Sequence, residues 1–303
     1  MLNNKLFSIE KDGASHITVI FFGIKLHILR PELRARRKDY RIQYSDTQNI
    51  AGIPCAEGNL RLIQLANLAL LKQFNQICKE NNINYWLDFG TLLGAKRHKG
   101  FIPWDDDIDV GMPREDYERF IKTFETEIPN YPDLYYTFSC NGRNKCFIKL
   151  RHKKTTNLFI DIFPYDYAPA MSEQEKAEFS QKAAKLIKPN FFKYFKTPDA
   201  TRAHLQKLTK RLVSSNEKGS LFWGLDFPHK WKNKVYDYSQ IFPLKESLFE
   251  NTYFPSPNKA HEVLTSIYGD YMSIPKDVYP RHSNYNIGGI EAEFIKKFAK
   301  GEQ

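Results

Sequence analysis

The 303-residue sequence predicts an α+β fold: a small mixed β-sheet flanked by helices, with a helical, aromatic-rich C-terminal region. Three observations carry this. Over 58–81, Leu60, Ile63, Leu70, Leu71, Phe74 and Ile77 recur at three- and four-residue spacing, the period of one helix face. Several short β-rich runs lie between turn residues. Their order is helix, strand, loop, strand, helix and then strands, which suits a single sheet with helices laid on it.

The elements follow in order. "KLFSIE", "HITVIFF" and "IKLHIL" read as strands, separated by "KDGAS" and Gly23. The next stretch, "RPELRARRKDYR", is strongly basic. A solvated helix face is its plain reading, and peripheral contact with anionic lipid the sharper one. After the 58–81 helix, "NN" breaks the chain, and "INYWLDF" reads as a strand running straight into "GTLLG". "KRHKGFIPWDD" then reads as a loop and "DIDVGM" as a short strand. Residues 113–128 suit a helix, with Pro113 near its first turn and acids close behind. "LYYTFS", "KCFIKLR" and "NLFIDIF" suit three further strands. After Pro169 the composition shifts: 171–187 is charged and helical, 188–211 is basic, and 220–285 is rich in aromatics and prolines. The expected division is a β-rich leader and basic linker over 1–56, a core over 57–170 and a C-terminal region over 171–303. No internal repeat is visible.

Composition narrows the function classes. Apolar residues make up 42% and aromatics 15%, enough to bury a core and to exclude a disordered chain. The net charge of +10 favours anionic partners such as phosphates, nucleic acid or an acidic membrane surface. Four cysteines (Cys55, Cys78, Cys140 and Cys146) are too few for a disulfide scaffold of this length. Cys140 and Cys146 lack the partners of a closed zinc site. No apolar run reaches the ~20 residues that cross a bilayer. The first apolar stretch is interrupted by Lys25 and His27, with no small-residue cleavage site after it. A cytoplasmic protein, or one peripheral to the cytoplasmic face of the inner membrane, is expected.

The chemistry concentrates in "YWLDFGTLLGAKRHKGFIPWDDDIDVGMPREDY", residues 85–117. Asp105, Asp106, Asp107 and Asp109 crowd together there, and such charges repel strongly unless a cation sits among them. Ile108 and Val110 alternate with Asp107 and Asp109. On a strand the two apolar residues enter the core, and the two carboxylates project together from the other face. That suits Mg²⁺ (or Mn²⁺), a hard ion that prefers oxygen. Asp105 belongs at the strand entrance, and Asp106 at an N-cap or in the loop. Asp161, a lone charge between Ile160 and Ile162, is the candidate third ligand, because a buried carboxylate needs a cation or strong hydrogen bonds. Asp166, beyond Pro164 in an expected turn, is the fallback. For phosphates, Gly90 and Thr91 at a strand end offer N–H groups and a hydroxyl. Arg97 and His98 lie in the basic run that follows, and Arg97 suits a bidentate phosphate grip. Lys149 and Arg151 lie upstream of Asp161, within reach of the same phosphates. Tyr85 and Trp86 read as core. Tyr268, Tyr271 and Tyr279 are candidates for a sugar site, with packing as their default.

These residues resemble the LicD family of phosphocholine-type transferases, which includes fukutin and fukutin-related protein. The matching pieces are "DFGTLLGAKRHKGFIPWDDDIDV", "DYERF", "IDIFPYD" and the closing "FPLKESLFENTYFPSPNKAHEVLTSIYGDYMSIP", and the likeness spans roughly 57–285. Phe89 departs from the small or polar residue of many relatives. The resemblance implies a nucleotidyltransferase-type fold, with Asp107, Asp109 and Asp161 holding Mg²⁺ and acting in catalysis. It implies Gly90 and Thr91 at the nucleotide phosphates. It implies transfer of phosphocholine, phosphoethanolamine or a polyol phosphate from a CDP-linked donor to a glycan hydroxyl, lipopolysaccharide included, with release of CMP. The C-terminal region would complete the donor and acceptor site.

A competing reading is a nucleotidyltransferase that uses an NTP donor on a nucleic acid or a small molecule. It would share the metal carboxylates and the positive charge. No RNA-binding signature is present and the basic residues are spread over several patches, so no nucleic-acid partner is expected. A glycan-binding scaffold without activity would not need all three aspartates. A glycosyltransferase would not need "GTLLG" ahead of them.

Overall fold

The computed structural model describes three N-terminal strands and then residues 53–302, apart from 128–129, 188–194, 216, 228–233 and 274–286. The strands β1 (Phe7–Asp12), β2 (His16–Phe21) and β3 (Ile24–Leu29) form an antiparallel sheet in that order, as expected. The basic segment 30–41 lies outside the described residues, as does Tyr279.

Helix α1 (Gly58–Glu80) buries the predicted stripe of Leu60, Ile63, Leu70, Leu71, Phe74 and Ile77. It ends at Asn81, whose N–H returns to the Ile77 carbonyl at 3.2 Å. Three polar residues are buried on α1 as well, Gln64, Asn67 and Asn75. Asn75 accepts the Tyr85 hydroxyl, and the NH₂ groups of Gln64 and Asn67 donate to backbone carbonyls.

The expected strand at "INYWLDF" shortens to β4 (Trp86–Leu87), and "GTLLG" is not a strand end. Helix α2 (Phe89–Arg97) takes its place. Asp88 caps it, accepting the Phe89 N–H at 2.9 Å. The following Leu-Leu-Gly-Ala-Lys-Arg is rich in helix formers and lacks β-branched residues. Gly94 is required there, since a Cβ at that position would lie 2.4 Å from the Gly100 carbonyl oxygen. Lys96 and Arg97 therefore sit in the last helical turn, where positive charge suits the helix dipole. The loop begins only after them.

Strand β5 (Ile108–Pro113) leads into α3 (Arg114–Glu127). The three predicted strands follow as β6 (Leu134–Cys140), β7 (Cys146–His152) and β8 (Phe159–Ala168). With β9 (Ser220–Trp223) and β10 (Val235–Asp237) they complete a seven-stranded mixed sheet among the described residues. Its centre is β8. Strand β5 runs parallel along one edge of β8, while β7 and β9 lie end to end, antiparallel, on the other.

Asp166 thus lies within β8, paired with Phe222, and not in a turn. Pro164 misled the reading. Its missing N–H falls in the gap between β7 and β9, so no ladder hydrogen bond is lost there. Arg114 holds Asp166 through Nε at 2.8 Å and Nη2 at 2.9 Å, and also pairs with the buried Asp226. Asp166 is therefore committed to an ion pair with Arg114, apart from Asp107, Asp109 and Asp161.

Register separates the two sheet faces. Ile108, Val110, Ile148, Leu150, Ile160 and Ile162 pair with one another and are fully buried, on the face covered by α1 and α3. Asp109, Lys149 and Asp161 occupy the other face, beside α2. Helices α4 (Glu173–Leu186) and α5 (Pro198–Leu212) build a second core of Phe179, Ala183, Leu205 and Leu208 against Phe222. The short α6 (Tyr238–Ile241), the hairpin β11 (Lys245–Phe249) and β12 (Thr252–Ser256), α7 (Ala260–Tyr268) and α8 (Gly289–Ala299) complete the described chain. Tyr85 and Trp86 are core residues, 2% and 0% exposed. Cys140 and Cys146 face each other across the β6–β7 ladder as free thiols. Among the described residues no helix is long and apolar enough to cross a membrane.

Candidate active site

The site starts from a register. Parallel pairing of β5 with β8 sets Asp109 beside Asp161, and antiparallel pairing of β7 with β8 sets Lys149 beside Asp161. Asp107 immediately precedes β5. One carboxylate oxygen from each of Asp107, Asp109 and Asp161 lies within 4.8 Å of the other two. Asp105, Asp106 and Asp107 form a second such group.

Helix α1 fixes the loop that carries these acids. Gln64 Nε2 donates to the carbonyls of Ile102 at 3.2 Å and Asp105 at 2.8 Å. Asn67 Nδ2 donates to the Asp106 carbonyl at 2.7 Å, while its Oδ1 accepts the Phe159 N–H at 3.1 Å. A single amide side chain thereby ties the acidic loop to the start of β8. The sequence reading missed both residues. The available signal was an amide at positions 64 and 67, within the buried stripe of the helix.

The first turn of α2 closes over the carboxylates. Thr91 Oγ1 accepts the Asp109 N–H at 2.8 Å. A Cβ on Gly90 would stand 2.7 Å from Asp105 Oδ2 and 3.6 Å from Asp109 Oδ2, so glycine is what lets the helix start approach the acids. Asp88, also missed from sequence, is fully buried and receives the Tyr165 hydroxyl at 2.5 Å. Burial raises its carboxyl to about 6, against the opposing effect of the Tyr165 and Phe89 hydrogen bonds. Phe89, held at φ 38°, packs its ring on Phe163 and Trp223 at 5.2 and 5.1 Å between centroids.

The electrostatics ask for a cation. Burial, and then Asp107, Asp161, Asp105 and Asp88, push the Asp109 carboxyl well above its ordinary value. Burial also raises Asp161, against the pull of Lys149. Lys149 Nζ donates to Asp161 Oδ2 at 2.8 Å. It also lies 2.6 Å from Oδ1, so the ion pair spans both oxygens of the carboxylate. Three clustered carboxylates, of which Asp161 is paired with a lysine, fit a hard divalent ion.

Arg97 and His98 have other partners. Arg97 Nη1 donates to the carbonyls of Tyr271 at 2.8 Å and Ser273 at 3.2 Å, and its Nε donates to His98 Nε2 at 2.9 Å. Burial, and then Arg97, lower His98 to about 4, so its ring is neutral near pH 7 and brings no positive charge to a phosphate. In this structure the pair fastens the end of α2 to the segment after α7. Arg151 Nε is spent on Thr137 Oγ1 at 3.1 Å. Tyr271 is 8% exposed with its hydroxyl 2.9 Å from His261 Nδ1, and Tyr268 is 40% exposed.

Residues 82–196 match the family model described as LicD/FKTN/FKRP, nucleotidyltransferase domain. The lipopolysaccharide cholinephosphotransferase LicD of Haemophilus influenzae is 31% identical over 255 residues, which is 74% of this chain and 96% of that protein. The chain belongs to the LicD family. The ribitol 5-phosphate transferase FKRP of Homo sapiens matches more locally, 30% identical over 83 residues, 27% of this chain and 17% of that one. An uncharacterised protein of Rickettsia typhi is 36% identical over 107 residues, about a third of each chain (32% and 33%). The matched segment contains Asp105, Asp106, Asp107, Asp109 and Asp161, and the LicD and FKRP relatives bear the names of transferases.

Proposed function

We propose that this LicD-family protein transfers a phospho-alcohol group, phosphocholine first among the candidates, from a CDP-linked donor to a hydroxyl of a bacterial cell-surface glycan. The observation that supports this most is the meeting of Asp107, Asp109 and Asp161 on one sheet face beneath the first turn of α2. Similarity to a lipopolysaccharide cholinephosphotransferase over most of the chain supports the choice of group and acceptor.

Asp107, Asp109 and Asp161 would hold Mg²⁺ or Mn²⁺. Such an ion, when bound, neutralises charge that builds on the phosphoryl oxygens. The protein's own part is positioning and electrostatics. Gly90 lets the donor phosphates approach the backbone of α2, where N–H groups without helical partners point at an anion. Thr91 holds the backbone of Asp109, and Lys149 holds the Asp161 carboxylate in place. The acceptor oxygen bonds to the phosphorus that carries the alcohol, the bridging P–O bond breaks, and CMP leaves with its electron pair. The hydroxyl proton passes to a neighbouring carboxylate. The net charge of +10 suits an anionic donor and a peripheral seat on the anionic cytoplasmic face of a membrane.

The test is a donor panel of CDP-choline, CDP-ethanolamine, CDP-glycerol and CDP-ribitol with Mg²⁺ and a crude bacterial glycan, read as CMP. Metal-dependent release from one donor, absent in Asp107→Ala, is expected. Silence on all four donors, with pyrophosphate released from an NTP instead, would replace the proposal with the nucleotidyltransferase reading.

A further inference from the structure

Lys145 lies just ahead of β7, two positions before Phe147 and four before Lys149, so the three share the face that carries Asp161. Its ammonium sits over the Phe147 ring, 4.9 Å from the centroid, and the Lys149 ammonium stands 6.0 Å from the same centroid. Phe147 in turn packs on Phe163 at 4.7 Å, a residue of β8 with the parity of Asp161. Both lysines therefore border the carboxylate site around one ring.

Their situations differ. Lys149 is an ion-pair partner of Asp161. Lys145 has no ion pair or side-chain hydrogen bond among the described residues, although it is half-buried. Burial lowers its basicity, Lys149 lowers it further, and Asp161 raises it from a distance. A desolvated cation without a counter-charge is unfavourable in the free protein, and such groups gather at binding sites. Charge balance points the same way. Three carboxylates are offset by one divalent ion and Lys149, so an incoming diphosphate brings negative charge that none of these groups offsets.

We propose that Lys145 is a donor-binding residue whose ammonium receives the diphosphate of a nucleoside-diphosphate-linked substrate beside the aspartate site. This rests on the proposed donor class but not on the alcohol it carries. The side chain leaves the Phe147 ring for a phosphate oxygen, and Lys149 stays on Asp161. The signal in the sequence was Lys145 itself, at the same parity as Lys149 in "KCFIKLR".

The test is calorimetric binding of CDP, CMP and inorganic pyrophosphate with Mg²⁺ to the full chain and to Lys145→Met and Lys145→Arg. Lys145→Met keeps the aliphatic contact with Phe147 and is expected to leave the melting temperature unchanged. It should weaken CDP and pyrophosphate by about tenfold, the scale of one charge-assisted contact. CMP should weaken less, and Lys145→Arg should keep most of the affinity. Equal CDP affinity in wild type and Lys145→Met, equal losses for CMP and CDP, or no binding of CDP or pyrophosphate by wild type would each overturn the assignment. CDP binding through Lys145, without CMP release from any CDP-linked alcohol, keeps the assignment and overturns the proposed reaction instead.

Discussion

Asp109 and Asp161 are direct partners across two parallel strands, so the fold holds two carboxylates together on a common face. Like charges at this range repel, and burial together with the neighbouring carboxylates pushes the Asp109 carboxyl well above the usual range. Asp109→Asn should therefore raise the metal-free melting temperature while abolishing the added stabilisation by Mg²⁺. Transfer should fall at least about 100-fold, the scale of losing a preorganised charge contact in a site. Differential scanning fluorimetry with and without Mg²⁺ reads both effects. An unchanged Mg²⁺ shift would remove Asp109 from the metal site.

Lys149 is the salt-bridge partner that Asp161 has among the described residues. Lys149→Met leaves a carboxylate that is 8% exposed without its counter-charge. Breaking a buried pair from one side costs about 3 kcal/mol. Urea unfolding should show that loss without metal and a partial recovery in Mg²⁺. A variant as stable as wild type without metal would show that the pair is not needed to hold Asp161.

Two glycines of α2 should separate function from stability. At Gly90 the obstacle to a Cβ is the end of the Asp105 side chain, 2.7 Å away, and at Gly94 it is the Gly100 backbone carbonyl, 2.4 Å away. A side chain can yield and a backbone cannot. Gly90→Ala should cost less than about 1 kcal/mol of stability yet lower transfer by about tenfold or more through displaced carboxylates. Gly94→Ala should destabilise by about 2 kcal/mol. Equal stability losses in the two variants would refute this division.

His98 gives a pH dependence of defined sign. Its ring falls from the ordinary 6.5 to about 4 because of burial and the adjacent Arg97, whose Nε–H needs an unprotonated nitrogen to donate to. Between those values the unfolded chain binds more protons than the folded one, so stability is lost as pH drops through this window. Allowing for partial exposure, the loss is about 1–2 kcal/mol. His98→Gln keeps an acceptor for Arg97 without titrating, and should flatten the stability profile between pH 4 and 6.5 in urea melts. An acid limb identical to wild type would assign the loss to other groups.

Much of the fold was legible because its signals are local. The stripe from Leu60 to Ile77, the alternation of Asp107–Ile108–Asp109–Val110 and the lone Asp161 between isoleucines each report burial through spacing alone. Two local readings failed for identifiable reasons. "GTLLG" offers too short a window for periodicity to distinguish helix from strand end, and the Asp88 cap with a left-handed Phe89 settles it. Pro164 reads as a stop, but the break between β7 and β9 gives its missing N–H a place where no ladder bond is needed.

The sequence by itself brought forward the acidic loop, Asp161, Gly90, Thr91 and Lys149 as candidates, and the structure sets these residues near one another. Only the tertiary structure decided what each cation does. Arg97, Lys149 and Lys145 are alike in sequence, basic residues near the motif. Arg97 is drawn to carbonyls contributed from Tyr271 and Ser273, Lys149 to Asp161, and Lys145 to neither. The physical reason is that a charge is satisfied by whatever the chain brings within hydrogen-bond distance, and residues 174 apart in sequence, such as Arg97 and Tyr271, meet only once the sheet and its helices are packed.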